Sequence, residues 1–143
     1  MINGYRISSI KDEIDFSVVY KFISTSNWAN GDSASTLKKA IQNSLCFNVF
    51  TSSNEQVGFA RVVTDFATYA YLCDVFIIEA HRRKGLSKWL VKEIVAHPEL
   101  QDLRRFTLVT KDAHNLYAQF GFKSISSPER FMEVWQPDIY QNA

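Results

Sequence analysis

The chain has 143 residues, 46% hydrophobic and 22% charged, which is enough to bury one continuous core without disulfides or metal. Sixteen Lys and Arg against fifteen Asp and Glu leave a net charge of +1, which excludes the overall electrostatic bias of a chain built to bind nucleic acid or an anionic membrane. Cys46 and Cys73 sit in apolar surroundings and His81, His97 and His114 are scattered, so buried thiols in a reducing, cytoplasmic compartment are expected rather than a disulfide or a metal site. No apolar run approaches the ~20 residues of a membrane span, and MINGYRISSIKDEIDF lacks the basic-then-apolar order of a signal peptide. Glycine and proline are sparse and no repeat is visible, so one domain over 1–143 is expected.

The elements follow in chain order. Tyr5–Ser8 reads as a short strand, and from about Glu13 to Ser24 the residues Ile14, Val18, Val19, Phe22 and Ile23 recur at helical spacing. Asn27 to Asp32 is a turn-rich break, after which Ser33 caps a second helix through Leu37, Ala40 and Ile41 towards Asn43. Cys46–Thr51 and Val57–Thr64 are β-branched and aromatic runs separated by a polar connection of hairpin length, Ser52 to Gln56, which predicts an antiparallel pair. Thr68–Ile78 continues the meander as the longest, central strand. Leu86, Trp89, Leu90 and Ile94 set a helical stripe, and the chain returns past Pro98 to a strand at Arg105–Thr110, a right-handed parallel crossover. Asp112 is read as the cap of a short helix with Leu116 and Phe120 at i and i+4, and Gly121 as its left-handed terminator. Phe122–Ile125 and Phe131–Trp135 are read as two last strands. The order β α α β β β α β α β β predicts an α/β (α+β) domain with a mixed, mostly antiparallel sheet of six to seven strands and about four helices.

The chemistry concentrates where the long strand ends, at Asp74-Val75-Phe76-Ile77-Ile78, then a basic loop, Arg82-Arg83-Lys84-Gly85, then a helix opening with Leu86-Ser87-Lys88. Amides at a helix start have no intrahelical acceptor, the dipole is positive there, and a glycine lets the backbone approach an anion. Four cations in a short run are common on solvated surfaces, but their place between a strand and a helix gives anion binding a mechanism.

Arg82-Arg83-Lys84-Gly85-Leu86-Ser87 resembles the acetyl-CoA signature of the GNAT acetyltransferases: Gln or Arg, two variable residues, Gly, one variable residue, then Gly or Ala. Ser87 is the departure. Ala113-His114-Asn115-Leu116-Tyr117, followed by Gly121-Phe122, resembles the later block of the same family, one helix and one strand further on. The resemblance runs from Val57 to Phe122 and implies the GNAT fold and acetyl-CoA as cosubstrate. The amides of Arg83 to Lys88 would hold its pyrophosphate, and the backbone of Val75, Phe76 and Ile77 would pair with the pantetheine arm like an added strand.

By the same resemblance Tyr117 is the general acid for the CoA sulfur, and an unperturbed tyrosine pKa of ~10 keeps it protonated. A strand amide near Phe76 would meet the oxyanion. The base stays open among Asp74, Asp65 and His114. Asp74 interrupts an apolar strand, so it is either functional or paired with a partner such as Arg61. His114, three residues before Tyr117, would share its face. Trp28, Phe66 and Tyr69 are candidate walls of the acceptor pocket, and Thr110 replaces an Asn often found in the family. The expected reaction is acetyl transfer to a primary amine, small or peptidic, by a monomer or homodimer. A non-catalytic acetyl-CoA-binding module is the alternative, and nucleic acid and membrane partners are not expected.

Overall fold

The structure is a computed structural model and describes residues 1–26, 31 and 33–141. It contains β1 (Tyr5–Ser8), α1 (Phe16–Ser24), α2 (Ala34–Gln42), β2 (Leu45–Thr51), β3 (Gln56–Thr64), β4 (Tyr69–Ile77), α3 (Leu86–Ala96), β5 (Arg105–Leu108) and α4 (His114–Ala118). The five strands stand in the order β1-β2-β3-β4-β5. The first four pair antiparallel, and β5 joins β4 in parallel after the crossover through α3. Among the described residues no helix is long and apolar enough to cross a membrane.

Period-2 alternation sends each strand's side chains to two separate cores. On one face, Val49, Val57, Ala60, Val62, Ala70 and Leu72 pack with Leu86, Leu90, Val91 and Ile94 of α3 and with Tyr117 of α4. On the other, Cys46, Phe59 and Phe76 meet Val19 and Ile23 of α1 and Leu37 and Ile41 of α2, each helical pair at i and i+4. The starts of α1 and α2 are capped by side chains. Asp15 Oδ1 accepts from the Val18 amide at 3.4 Å, and Ser33 Oγ from the Thr36 amide at 3.2 Å.

Three expectations are corrected. Among the described residues the sheet has five strands, not six or seven, because neither Phe122–Ile125 nor Phe131–Trp135 pairs with a strand. Phe122 turns inward instead, edge-on to Phe106 and Tyr117 with ring centres 5.3 and 5.9 Å apart. Phe131, Met132, Val134 and Trp135 are 45, 96, 91 and 72% exposed. Asp112 does not cap α4; the Thr110 hydroxyl accepts from the Ala113 amide at 3.0 Å and closes that turn. Gln56 is no surface hairpin residue. Buried at the start of β3, its side chain accepts from the Asp15 amide at 2.7 Å and donates to Asn48 Oδ1 at 2.9 Å, tying α1 to the sheet.

Candidate active site

The site begins with a defect in β4. Arg61 of β3 stands opposite Cys73, but Phe59 stands opposite Phe76, so three steps on β4 match two on β3. Asp74 lies within this bulge, at φ +54°, a left-handed backbone that aspartate tolerates better than most residues. The parallel pairing with β5 runs only from Tyr69 to Leu72 of β4. From Cys73 to Ile77 the β4 edge on that side is therefore unpaired, and the two strands leave an opening between them.

Asp74 is buried and accepts from Arg61 Nε at 2.8 Å, while Arg61 Nη1 donates to Ser44 Oγ at 3.1 Å. Of the two readings open for Asp74, the ion pair with Arg61 is present, on the α1–α2 face. Tyr69, Tyr71 and Cys73 alternate with the buried Ala70 and Leu72 and share that face. Burial pushes the Cys46 and Cys73 thiols up to about 11 and about 12, which keeps both protonated and removes them as nucleophiles at neutral pH.

Beyond Ile77 the chain makes a turn at Glu79–His81 and enters the basic loop. Arg82 Nε donates to the Ile77 carbonyl at 2.8 Å, pinning the loop to the end of β4. Arg83 and Gly85 have φ of +65° and +81°, the kind of backbone that gathers successive amides into an anion nest. Gly85 is the N-cap of α3 and supplies no capping side chain, and the first helical bond runs from the Trp89 amide to the Gly85 carbonyl at 3.1 Å. The Leu86, Ser87 and Lys88 amides thus open the helix without intrahelical acceptors. A Cβ on Gly85 would meet only Ile2 Cδ1 at 3.6 Å, so the glycine is required for its left-handed φ and not for space. Arg82, Arg83, Lys84 and Lys88 are exposed around the loop, whereas the Leu86 side chain is core.

The loop is also held from behind, by contacts no sequence spacing signals. Tyr5 Oη and His81 Nδ1 lie 2.8 Å apart, with their rings edge to face, and His81 Nε2 is 3.9 Å from Glu55. These contacts join β1 and the β2–β3 turn to the cradle.

Tyr117 is 8% exposed, in the α3-side core. The pattern gives the inward face of α4 to Leu116 and Phe120, yet Tyr117 is the more deeply buried. It also lines a groove of about 1280 Å³ with Phe106, Leu108, His114 and Phe122. Burial raises the phenol above its ordinary range. His114 is exposed on α4, and no hydrogen bond joins it to Tyr117 among the described residues.

Asp65 closes the β3–β4 turn, its Oδ1 accepting from the Ala67, Thr68 and Tyr69 amides at 2.9, 2.8 and 3.1 Å. The Thr68 amide and hydroxyl, with the Ala67 and Tyr69 amides, hold this carboxyl far below the usual range. Phe66 stands exposed in the same turn at φ +63°, and Tyr69 Oη bonds Thr107 Oγ1 at 2.6 Å. Trp28 lies outside the described residues. No cluster of metal ligands occurs among those that are described.

A left-handed turn of free amides at the start of α3, following a strand whose edge is unpaired, suits a ligand that joins a phosphate to an extended arm. The Acetyltransferase (GNAT) family profile matches residues 16–122, and the chain belongs to this family. A Gibberella zeae protein named "Putative acetyltransferase" is 30% identical over 112 residues, or 64% of this chain and 62% of that protein, so the match spans less than two thirds of the relative. A crystal structure from Xanthomonas campestris pv. campestris, of a protein belonging to the GNAT family, is 40% identical with a TM-score of 0.94, covering 98% of this chain and 99% of that one. A Clostridium acetobutylicum acetyltransferase structure with acetyl-CoA shares the fold at a TM-score of 0.65 and 17% identity, covering 94% of this chain and 96% of that one.

Proposed function

We propose that the chain is an N-acetyltransferase that moves the acetyl group of acetyl-CoA to a primary amine by direct attack. The β4 edge carries this reading, because beyond Leu72 it has no partner on the β5 side up to the loop that opens α3, and an extended arm and an anion would lie in line there. The amides of Arg83 to Lys88 would hold the pyrophosphate, with Arg82, Arg83, Lys84 and Lys88 adding charge. The backbone of Val75, Phe76 and Ile77 would pair with the pantetheine arm as a strand is added to a sheet. Bound there, acetyl-CoA supplies an activated thioester carbonyl.

The chain's own residues do the rest. An amide near Phe76 donates to the carbonyl oxygen from a fixed position. Tyr117 gives its proton to the sulfur as the carbon–sulfur bond breaks, and burial keeps that proton in place at neutral and mildly alkaline pH. The amine nitrogen forms the new bond to the carbonyl carbon and passes its spare proton towards Asp74. Tyr117 belongs to the α3 face and Asp74, through Arg61 and Ser44, to the α1–α2 face. Acid and base thus approach from opposite sides of the sheet. Tyr69 and Tyr71 wall the amine side and His114 stands at the rim of the Tyr117 groove, while Asp65 is left to its turn. Protonated free thiols, buried at Cys46 and partly buried at Cys73, suit a reducing compartment such as the cytoplasm.

Calorimetric titration with acetyl-CoA, desulfo-CoA and ATP tests the reading. Micromolar binding of the first two, with ATP far weaker, is the expected result. Equal affinity for ATP would contradict it, because the site would then read anions alone.

A further inference from the structure

The loop that opens α3 is held in part from outside its own strand and helix. Arg83 carries a Cβ and still stands at φ +65°, a backbone that residues with side chains avoid and that persists where neighbours fix the chain on both sides. On the C-terminal side the anchor is Leu86, buried in the core at the first turn of α3. On the N-terminal side the Ile78 amide donates to the Val57 carbonyl and Arg82 Nε to the Ile77 carbonyl, each at 2.8 Å.

Further support comes from the start of the chain. The Tyr5 amide donates to the Ile2 carbonyl at 3.2 Å, which closes these residues into one turn. Tyr5 Oη meets His81 Nδ1 at 2.8 Å just before the loop, and Ile2 Cδ1 lies 3.6 Å from where a Cβ on Gly85 would stand, at the loop's end. The turn therefore underlies the loop from His81 to Gly85. It is itself fixed, because Tyr5 opens β1 opposite Thr51, and both Ile2 and Tyr5 pack against the α3-side core.

The contact between Tyr5 and His81 is directional as well as close. Glu55, from the β2–β3 connection, faces His81 Nε2 at 3.9 Å. A carboxylate on that side favours the tautomer with its proton on Nε2, which leaves Nδ1 to accept from the Tyr5 hydroxyl. The His81 side chain is 22% exposed, so water competes little for the bond, and the two rings meet edge to face with centres 5.8 Å apart.

We infer that Tyr5 and His81 are positioning residues for the diphosphate of the carrier: through their hydrogen bond, β1 holds the amides of Arg83 to Lys88 in the arrangement that receives it. The inference rests on the acetyl-CoA reading of that loop. Its effect falls on the nucleotide end of acetyl-CoA and leaves the acetyl-transfer step alone.

Tyr5→Phe deletes the hydroxyl and keeps the ring, His81→Leu deletes the acceptor, and His81→Asn returns an amide oxygen near the place of Nδ1. Calorimetry gives the affinity for acetyl-CoA. Steady-state assays with a primary amine that the wild type acetylates compare acetyl-CoA with S-acetylpantetheine, which carries the same thioester without a diphosphate. Tyr5→Phe and His81→Leu should each raise Kd and KM for acetyl-CoA about 10-fold, the upper end of what one hydrogen bond contributes. Their kcat at saturation, and kcat/KM with S-acetylpantetheine, should stay at the wild-type level. His81→Asn should return the affinity to within about 3-fold of wild type.

A general loosening of the fold gives a different pattern, with turnover lowered on both donors and no rescue by asparagine. That pattern would overturn the inference, and so would acetyl-CoA affinity that neither Tyr5→Phe nor His81→Leu weakens. A wild type that binds no acetyl-CoA would remove the underlying reading, and this inference with it. Because Tyr5→Phe and His81→Leu break the same bond from opposite ends, the test stands if far-UV dichroism shows one of them to be unfolded.

Discussion

Arg61 and Asp74 meet at 2.8 Å at the place where β4 slips one residue against β3. The pair sits at the bulge, and just before it the pairing of β4 with β5 stops, at Leu72. Arg61→Ala removes the guanidinium from a carboxylate that is 7% exposed, and losing one partner of a buried pair costs about 3 kcal/mol. Urea unfolding should register that loss. Asp74→Asn keeps the shape of the side chain, so it should leave the affinity for acetyl-CoA unchanged within about 2-fold while lowering kcat/KM for the amine by about 100-fold, the scale of a lost general base.

Gly85→Ala tests the cradle. The new methyl group meets nothing closer than Ile2 Cδ1 at 3.6 Å, so its effect comes from holding φ near +81°, a strain of about 1–2 kcal/mol. If the loop relaxes to relieve it, the nest is lost. Calorimetry should show acetyl-CoA bound about 10-fold more weakly, equivalent to ~1.4 kcal/mol, with little change in the melting temperature beyond the strain itself.

Gly58→Ala should do the reverse. A Cβ there would stand 2.7 Å from Ile77 Cδ1 and 3.0 Å from Val49 Cβ and Cγ2, inside the packed sheet. Overpacking of this kind costs about 1–3 kcal/mol. The midpoint of denaturation should fall accordingly, with the acetyl-CoA affinity of the folded fraction retained.

Asp65 gives a pH signature. Its carboxyl is depressed in the folded chain by the Thr68 backbone and hydroxyl and by the Ala67 and Tyr69 amides. The stabilisation is therefore fully present above the unfolded value of ~3.9 and is lost as pH falls below it towards the folded one. Asp65→Asn should lower the melting temperature at pH 7, and the gap from wild type should close progressively below about pH 4. A gap that widened under acid would reverse the sign and contradict the account.

Much of this was legible before any coordinates. Helical spacing located α1, α2 and α3, Ser33 announced its cap, and Gly85 between a long apolar strand and a helix marked the left-handed turn that opens α3. The bulge was not legible, since an aspartate in an apolar strand signals expense but not a left-handed φ. Gln56 misled because a polar residue beside Ser53 and Asn54 reads as a turn, whereas three partners in the fold satisfy its amide: the Asp15 amide, Asn48 and the Gly58 carbonyl. Asp112 misled for a similar reason, because Thr110 reached the Ala113 amide from further back. Phe131 to Trp135 has the composition of a strand, but pairing needs a neighbour in register, and among the described residues the segment pairs with no strand of the sheet.

The central claim concerns Tyr117, buried on the α3 face and lining the groove beside β5. The most direct test follows thiol release from acetyl-CoA over a panel of primary amines with the wild type and Tyr117→Phe, each checked for acetyl-CoA binding by calorimetry. Amine-dependent release that drops by ~100-fold or more in the Phe variant, with binding retained, is the predicted result. Release that is unaffected by the substitution, or tight binding with no release on any amine, would contradict the assignment of Tyr117 as the acid of an N-acetyltransferase.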